Sequence, residues 1–282
     1  MDTAKLEHTP KVQLVNTQAT YLTTLYGKAL DASASAPILG DRYAADAVQR
    51  IDFDFRKLKL PSGGEITLPL RAKHLDGWAQ QYLAKHPEAT VLHLGCGLDS
   101  RVFRIDPPAS VHWFDIDQPE VIALRRQLYP ERASYELIAA SIIDERASFW
   151  DRAPRDRPVL VIAEGVVMYL PPAAGKALLR RITQTYPEGQ LIFDAYSQLT
   201  TRIITLASKL SPTPVSLPWG IDDPKTLQRA IPALQLLDAV PFLVLPELLQ
   251  RMGTTAVLRA IFKIYQHVKP LRDSILHLRY AW

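Results

Sequence analysis

The sequence is poor in cysteine: Cys96 is the single thiol among 282 residues. A disulfide framework within the chain is therefore excluded, and a reducing compartment is expected. Long apolar runs are also missing. No stretch approaches the roughly 18 uninterrupted apolar residues that cross a bilayer. The opening MDTAKLEHTPKVQL lacks the apolar core of a signal peptide. The expectation is a soluble cytoplasmic protein without membrane contact. The seven histidines are isolated in sequence, with no H-x-x-H pair and no C-x-x-C, so no metal site is expected. No G-x-S-x-G occurs, which removes the nucleophile elbow of serine hydrolases. An excess of one charge is lacking too. The 33 Lys and Arg are interleaved with 29 Asp and Glu, whereas a nucleic-acid binder gathers its basic residues on one face. Glycine is scarce beside proline, 12 against 22, and many prolines mark the ends of elements.

What is present supports a large core, since 48% of the residues are hydrophobic. Residues 11–35 have helical spacing (Leu14, Tyr21, Leu22, Leu25, Leu30), and a second helical pattern covers 41–57. PSGGE at 61–65 reads as a turn, and 71–87 as a helix ended by Pro87. From residue 90 the pattern changes. Strands are expected at 90–94, 111–117, 134–140, 158–165 and 189–196. Helices at 119–129, 145–151 and 171–186 lie between them, two of them opened by proline. Five strands interleaved with helices imply a parallel sheet built by right-handed crossovers. Runs such as VLVIA suit strands buried on both faces. An amphipathic helix at 198–210 and a Pro-rich stretch follow, then LQLLDAVPFL, a helical segment 247–268 and a final strand at 273–282. The domain reading is an N-terminal helical cap over 1–88 and an α/β domain over 89–282 carrying a lid insertion at 197–225.

The chemistry gathers at strand ends, where open α/β sheets bind ligands. VLHLGCGLDSR (91–101) runs from an apolar strand straight into Gly95-Cys96-Gly97. Asp115 and Asp117 end the second strand, 20–22 residues beyond the first glycine, where a carboxylate can accept bonds from two ribose hydroxyls. Alternation along the strand does not decide between them. Ser141-Ile142 end the third strand and Glu164 the fourth. A dinucleotide fingerprint needs a third glycine. Ser100 stands there instead, and Asp99 in the loop would repel a pyrophosphate. An acidic loop suits S-adenosylmethionine, which carries a sulfonium and an ammonium. The structural alternative for Asp99 is a cap on the following helix. Cys96 reads as a small filler in the turn, and Trp113 and Phe114 as sheet packing.

The ordered set HLGCGLDSRVFR, WFDIDQPEVI and AEGVVMYLP, with PILGDRYAADAV (37–48) and RAKHLD (71–76) upstream, resembles the leucine carboxyl methyltransferase family. That family includes bacterial polyketide O-methyltransferases of the tetracenomycin type. The resemblance runs from about residue 20 to the C-terminus and weakens after 197. It implies a class I methyltransferase: a doubly wound, mostly parallel seven-stranded sheet of Rossmann-like form, with S-adenosylmethionine as cofactor. It places Gly95, Cys96 and Gly97 against the cofactor and Asp117 (with Asp115 as rival) on the ribose. Ser141 and Ile142 fall at the adenine. Arg71 falls at the methionine carboxylate with Lys28 assisting, and Glu164 near the ammonium. Tyr169 borders the acceptor as the candidate catalytic residue. One departure stands out: the family has Asp-Leu where this chain has Ser141-Ile142, and Asp144 is the nearest substitute carboxylate.

Methyl transfer from a sulfonium chiefly requires alignment and exclusion of water. A carboxylate acceptor needs no base, whereas a phenol does. No motif contains an obvious histidine base, although His93, His74 and His267 could enter the pocket. The expected acceptor is thus a small hydrophobic acid, such as a polyketide or aryl acid, converted to a methyl ester. A hydroxyl compound or a protein C-terminal carboxylate is the alternative acceptor. The N-terminal helices and the 197–225 insertion are expected to wall the pocket with Tyr21, Tyr26, Leu199, Ile203, Leu206, Leu217 and Trp219. Two other classes remain open at this point, an NAD-dependent oxidoreductase and a non-catalytic cofactor-binding module.

Overall fold

The computed structural model describes residues 12, 19–58, 60–61, 63–144, 146, 149–210, 214–252 and 256–282. Three helices come first: α1 (Ala19–Ala32), α2 (Arg42–Arg50) and α3 (Gly64–Lys85). Then follow β1 (Thr90–Leu94), α4 (Arg101–Ile105), β2 (His112–Asp117), α5 (Pro119–Leu128), β3 (Tyr135–Ala139), α6 (Phe149–Arg152), β4 (Val159–Ala163), α7 (Pro172–Thr185) and β5 (Gly189–Tyr196). The chain ends with α8 (Gln198–Ser208), α9 (Lys225–Ala230), β6 (Gln235–Pro241), α10 (Pro246–Met252), α11 (Ala256–His267), α12 (Lys269–Arg272) and β7 (Ile275–Ala281).

The strands form one sheet in the order β3-β2-β1-β4-β5-β7-β6, with β7 antiparallel to both neighbours. The chain steps outward from β1 to β3, then returns to start again at β4. The crevice between the carboxyl ends of β1 and β4 is therefore the switch point where such sheets take ligands. β1 and β4 are buried along their whole length, as their unbroken apolar runs require.

Alternation sorts the core into two layers. Leu92, Leu94, Phe114, Ile116, Val161 and Phe193 pack with Leu178, Leu179 and Ile182 of α7 on one face. Val91, Trp113, Leu160, Ile162 and Ile192 point the other way, onto Leu22, Leu25, Leu75 and Trp78 of the N-terminal helices. The helices before residue 88 thus share the sheet's own core.

Three elements differ from the sequence reading. α3 starts seven residues early and runs through Pro69, where a turn is expected at 61–65. Pro69 lies in its second turn, where the missing N–H forgoes a single bond. The long second helix stops at Arg50, because Ile51 is extended and pairs with Val12. The region expected as a lid divides. Leu217 and Trp219 are buried in the body, with Trp219 against Gly175, where a Cβ would come within 1.9 Å of its ring. Leu199, Ile203 and Leu206 on α8 are instead 56–66% exposed and do not wall the pocket. An amphipathic period reveals an apolar face but not what covers it.

Beneath β7 lies a histidine pair. His277, fully buried, shares a 2.9 Å Nδ1–Nδ1 contact with His74 and stacks on Phe242; among the described residues its Nε2 has no hydrogen-bond partner. One shared proton permits one donor and one acceptor, so the pair cannot be doubly charged without facing two N–H groups at each other. Burial, then His74 and Arg71, hold His277 well below its ordinary value of 6.5, with Glu164 opposing. Asp238 and Arg279 act on His74. The unfolded chain therefore binds the proton first as pH falls. Stability is full above pH 6.5 and declines below it, by up to about 1.4 kcal/mol per pH unit for one proton. Melting temperatures between about pH 8 and pH 5.5 should fall more steeply for wild type than for His277→Leu. Parallel slopes would remove the pair as the cause.

Candidate active site

β1 ends in a turn that calls for glycine twice. Gly95 (φ +58°) and Gly97 (φ +51°) are both left-handed, and a Cβ on Gly95 would stand 2.6 Å from Val166 Cγ2. The Gly95 and Cys96 N–H groups donate to the Ile116 carbonyl at 2.8 and 3.3 Å. Arg125 donates to the carbonyls of Gly97 and Asp99, each at 2.8 Å. Burial raises the Cys96 thiol well above its usual range, so it fills space and does not react.

β1 stops at Leu94, opposite Ile116, so Asp117 overhangs its neighbour. Its Oδ2 accepts the Gly97 N–H at 2.7 Å and its Oδ1 the Gln118 N–H at 2.7 Å. Each oxygen keeps spare acceptor capacity. Burial raises the Asp117 carboxyl, offset in part by these two N–H groups. A cavity of about 1000 Å³ lies over this edge. Toward β3 it is lined by Asp117, Gln118, Ser141 and Ile142. At the switch point it meets Gly95, Glu164, Lys28 and Arg71, and toward β5 it meets Met168, Tyr169 and Tyr196. Its volume is at the top of the range for single small-molecule pockets, enough for a cofactor and a second molecule.

Its floor is a buried ionic lattice. Glu164 accepts Arg71 Nε at 3.0 Å and a short bond from Arg101, and Lys28 Nζ lies 3.8 Å away. Burial pushes this carboxyl up, but Lys28, Arg101 and Arg71 overcome it and keep it ionised. Arg101 also holds Asp76 at 2.5 Å, while Arg104 holds Asp76, Asp41 and Asp99 at 3.0, 2.7 and 2.5 Å. Asp194, at the end of β5, accepts the Gly165 N–H at 2.5 Å and Arg71 at 3.2 Å. Arg71 further bonds the Tyr196 hydroxyl, which burial pushes up to about 12. Asp41, Asp76, Asp99, Glu164 and Asp194 outnumber Lys28, Arg71, Arg101 and Arg104 by one charge. Lys28 Nζ forms an ion pair with Asp99 Oδ2 at 3.0 Å, and among the described residues neither of these buried atoms makes a hydrogen bond. The lattice thus offers one excess negative charge, and Lys28, though ion-paired, keeps N–H groups that no hydrogen bond uses.

The family model for leucine carboxyl methyltransferases matches residues 22–183. The chain is 42% identical over 224 residues to the tetracenomycin polyketide synthesis O-methyltransferase TcmP of Streptomyces glaucescens, covering 79% of this chain and 82% of that one. The chain belongs to the leucine carboxyl methyltransferase family. A second relative, the S-adenosyl-L-methionine-dependent methyltransferase dpfgK of Gibberella zeae, is 34% identical over 80% of this chain and 82% of its own length. Among solved structures, the mycolic acid cyclopropane synthase CmaA1 aligns with a TM-score of 0.50 at 12% identity, over 95% of this chain and 98% of that one. A DUF574 family protein from Streptomyces avermitilis aligns at 0.51 and 12%, over 90% and 96%. These two likenesses are of fold alone.

In this methyltransferase the cavity gathers Lys28, Arg71, Gly95, Cys96, Gly97, Asp117, Ser141, Ile142, Glu164 and Tyr169. Asp115 is not among them, which corrects its candidacy. It is fully buried, and its oxygens take His93 and Trp113 (2.9 Å each), Tyr135 (2.7 Å) and a short bond from Arg125. Asp144 does not line the cavity; its Oδ1 accepts the Arg146 N–H. Asp99 caps no helix, being engaged by Arg104; the cap position of α4 is Ser100, which makes no side-chain capping bond. His74 pairs with His277 outside the cavity, and His267 is exposed on α11. His93 lines the cavity but is committed. Arg101 can only donate, at 3.2 Å, so Nε2 accepts and Nδ1–H donates to Asp115.

The sequence does not single out Asp194, Tyr196 or Asp76, and it marks Arg101 and Arg104, spaced between acids, as a solvated face, whereas Arg101 is fully buried and Arg104 is held by three carboxylates. The strand-end rule, applied to the fifth strand as well as the first four, would have flagged Asp194 and Tyr196. Nothing local marks Arg101 or Asp76 for the site.

Proposed function

We propose that this S-adenosylmethionine-dependent O-methyltransferase esterifies the carboxylate of a small hydrophobic acid. The carrying observation is that, among the described residues, the titratable groups lining the cavity at the switch point and toward β5 are all paired or protonated, so none there is free to take a proton from a hydroxyl acceptor. Both nitrogens of His93 are spent. Burial raises Tyr169 and Tyr196, which stay protonated at neutral pH. Glu164 and Asp99 are locked to cations. A carboxylate arrives ionised and needs no base.

The residues fit the cofactor. Asp117 would hold the ribose hydroxyls, and Ser141 and Ile142 would meet the adenine, the Ser hydroxyl accepting without charge. Lys28, with its unspent donors, and Arg71 would take the methionine carboxylate. Glu164 and Asp99 would face the ammonium. The lattice's excess negative charge complements a molecule with two cationic groups and one carboxylate. S-adenosylmethionine supplies a methyl on a sulfonium. The chain's own part is to align it, with Tyr169 and Tyr196 bordering the acceptor oxygen, and to exclude water. TcmP's naming as a polyketide O-methyltransferase supports an aromatic or polyketide acid as the acceptor class. The oxidoreductase reading loses support. Asp99 lines the cavity beside the turn, and Ser100, in place of the third glycine, spends its hydroxyl on Asp41.

Calorimetric titration should show S-adenosylhomocysteine binding and no NADH binding. Incubation with S-adenosylmethionine and aryl carboxylic acids should yield esters that release methanol in base, while matched phenols stay unmodified. Methylation of the phenols alone would overturn the carboxylate assignment.

A further inference from the structure

Among the described residues, six charged side chains line the cavity. Five of them are committed at the switch point: Lys28, Arg71, Asp99 and Glu164 to the ionic lattice and Asp117 to backbone N–H groups. The sixth is Lys57. Its ammonium forms no ion pair or hydrogen bond among the described residues, its backbone N–H alone donating to the Asp54 carbonyl at 3.0 Å. The nearby Asp54 carboxylate, on the same turn, is already forked by Arg56 at 2.8 and 3.2 Å.

Lys57 is fixed in place by its turn. It closes a short 3-10 helix, residues 55–57, whose first residue, Phe55, is buried and packs on Tyr26 and Phe53. Asp54 accepts the Arg56 N–H, and the Leu58 N–H closes on the Phe55 carbonyl. The cavity lining contributed by the chain that follows Lys57 and by α3 is apolar: Leu58, Pro61 and Leu68. Lys57 is itself exposed, so its ammonium stands at the solvent side of the cavity and acts on an anion across partly screened space. It stands apart from the switch-point lattice: among the described residues Asp99 and Glu164 take their ion pairs from Lys28, Arg71, Arg101 and Arg104 and none from Lys57.

We propose that Lys57 selects acceptors that carry a second anionic group, a carboxylate or an acidic phenolate, at the end away from the oxygen that is methylated. The substrate class is then a rigid apolar acid with anionic oxygens at both ends, its body lying along Leu58, Pro61 and Leu68. The proposal rests on the reading of this cavity as an acceptor pocket. Esterification removes one charge, and Lys57 continues to hold the other.

The test is calorimetric titration of the protein with 2-naphthoate and 2,6-naphthalenedicarboxylate, with and without S-adenosylhomocysteine. Wild type should bind the dianion about 3-fold more tightly, as expected of one solvent-exposed charge pair. Lys57→Met should abolish the difference, Lys57→Arg should restore it, and both should bind S-adenosylhomocysteine as wild type does. A dianion advantage that survives in Lys57→Met, or that is absent from wild type, overturns the proposal. Failure to bind S-adenosylhomocysteine would instead strike the cofactor assignment, and the comparison without it would still judge Lys57.

Discussion

Asp115→Asn lowers the melting temperature by on the order of 10 °C. Four donors converge on this one carboxylate: His93 and Trp113 on Oδ1, Arg125 and Tyr135 on Oδ2. Burial alone would raise its pKa, yet Arg125 first, then His93 and Tyr135, bring it down to about 2. The carboxylate therefore stays charged under all ordinary conditions. An asparagine has a single acceptor oxygen and would turn its NH₂ toward two of those donors. Arg125, fully buried, would lose its anion. Removing one partner of a buried pair costs about 3–5 kcal/mol, and in a chain of this size each kcal/mol moves the midpoint by about 2–4 °C. Arg125 also ties down the carbonyls of Gly97 and Asp99, so cofactor affinity falls as a consequence of the loosened turn. A thermal melt decides the matter: a midpoint within about 2 °C of wild type would mean that Asp115 is not the hub of this cluster.

The same two carboxylates show what was legible in the sequence. The glycine turn and an acid 20–22 residues on were readable because both belong to one β-turn-α-β unit, where spacing fixes placement. Asp115 and Asp117 lie on the same side of β2, so alternation could not separate them. What separates them is depth. Asp115 is in register with His93, inside the sheet, whereas Asp117 lies one residue past the last residue of β1. Strands were legible for a related reason, since fully apolar runs admit few other placements. The early start of α3 was not, because Gly63, Gly64 and Pro69 are turn residues by local preference and tertiary packing overrides them. The ionic lattice was least legible of all. Arg71 and Asp194 meet across 123 residues of sequence, and no local pattern encodes that contact. α8 gives the opposite lesson: its apolar period was real, but the face it marks is turned to solvent.

Asp117→Asn, two residues on, keeps the fold and loses the cofactor. Its side chain touches two backbone N–H groups and the cavity, with no buried cation hydrogen-bonded to it. The amide retains one acceptor, so one of those N–H groups loses a partner at a cost of about 1 kcal/mol. The melting temperature should therefore fall by only about 2–4 °C. Affinity should change far more. A ribose diol bonded to a charged carboxylate contributes about 1.5–3 kcal/mol per bond, so losing the charge and one acceptor weakens S-adenosylhomocysteine by about 100-fold. The two asparagine variants thus form a crossed pair, one losing stability first and the other affinity first. Calorimetric titration beside a thermal melt separates them. Asp117→Asn binding S-adenosylhomocysteine within about 3-fold of wild type would mean that the overhanging carboxylate does not hold the ribose. The adenosine would then have to be gripped from the Ser141–Ile142 side alone.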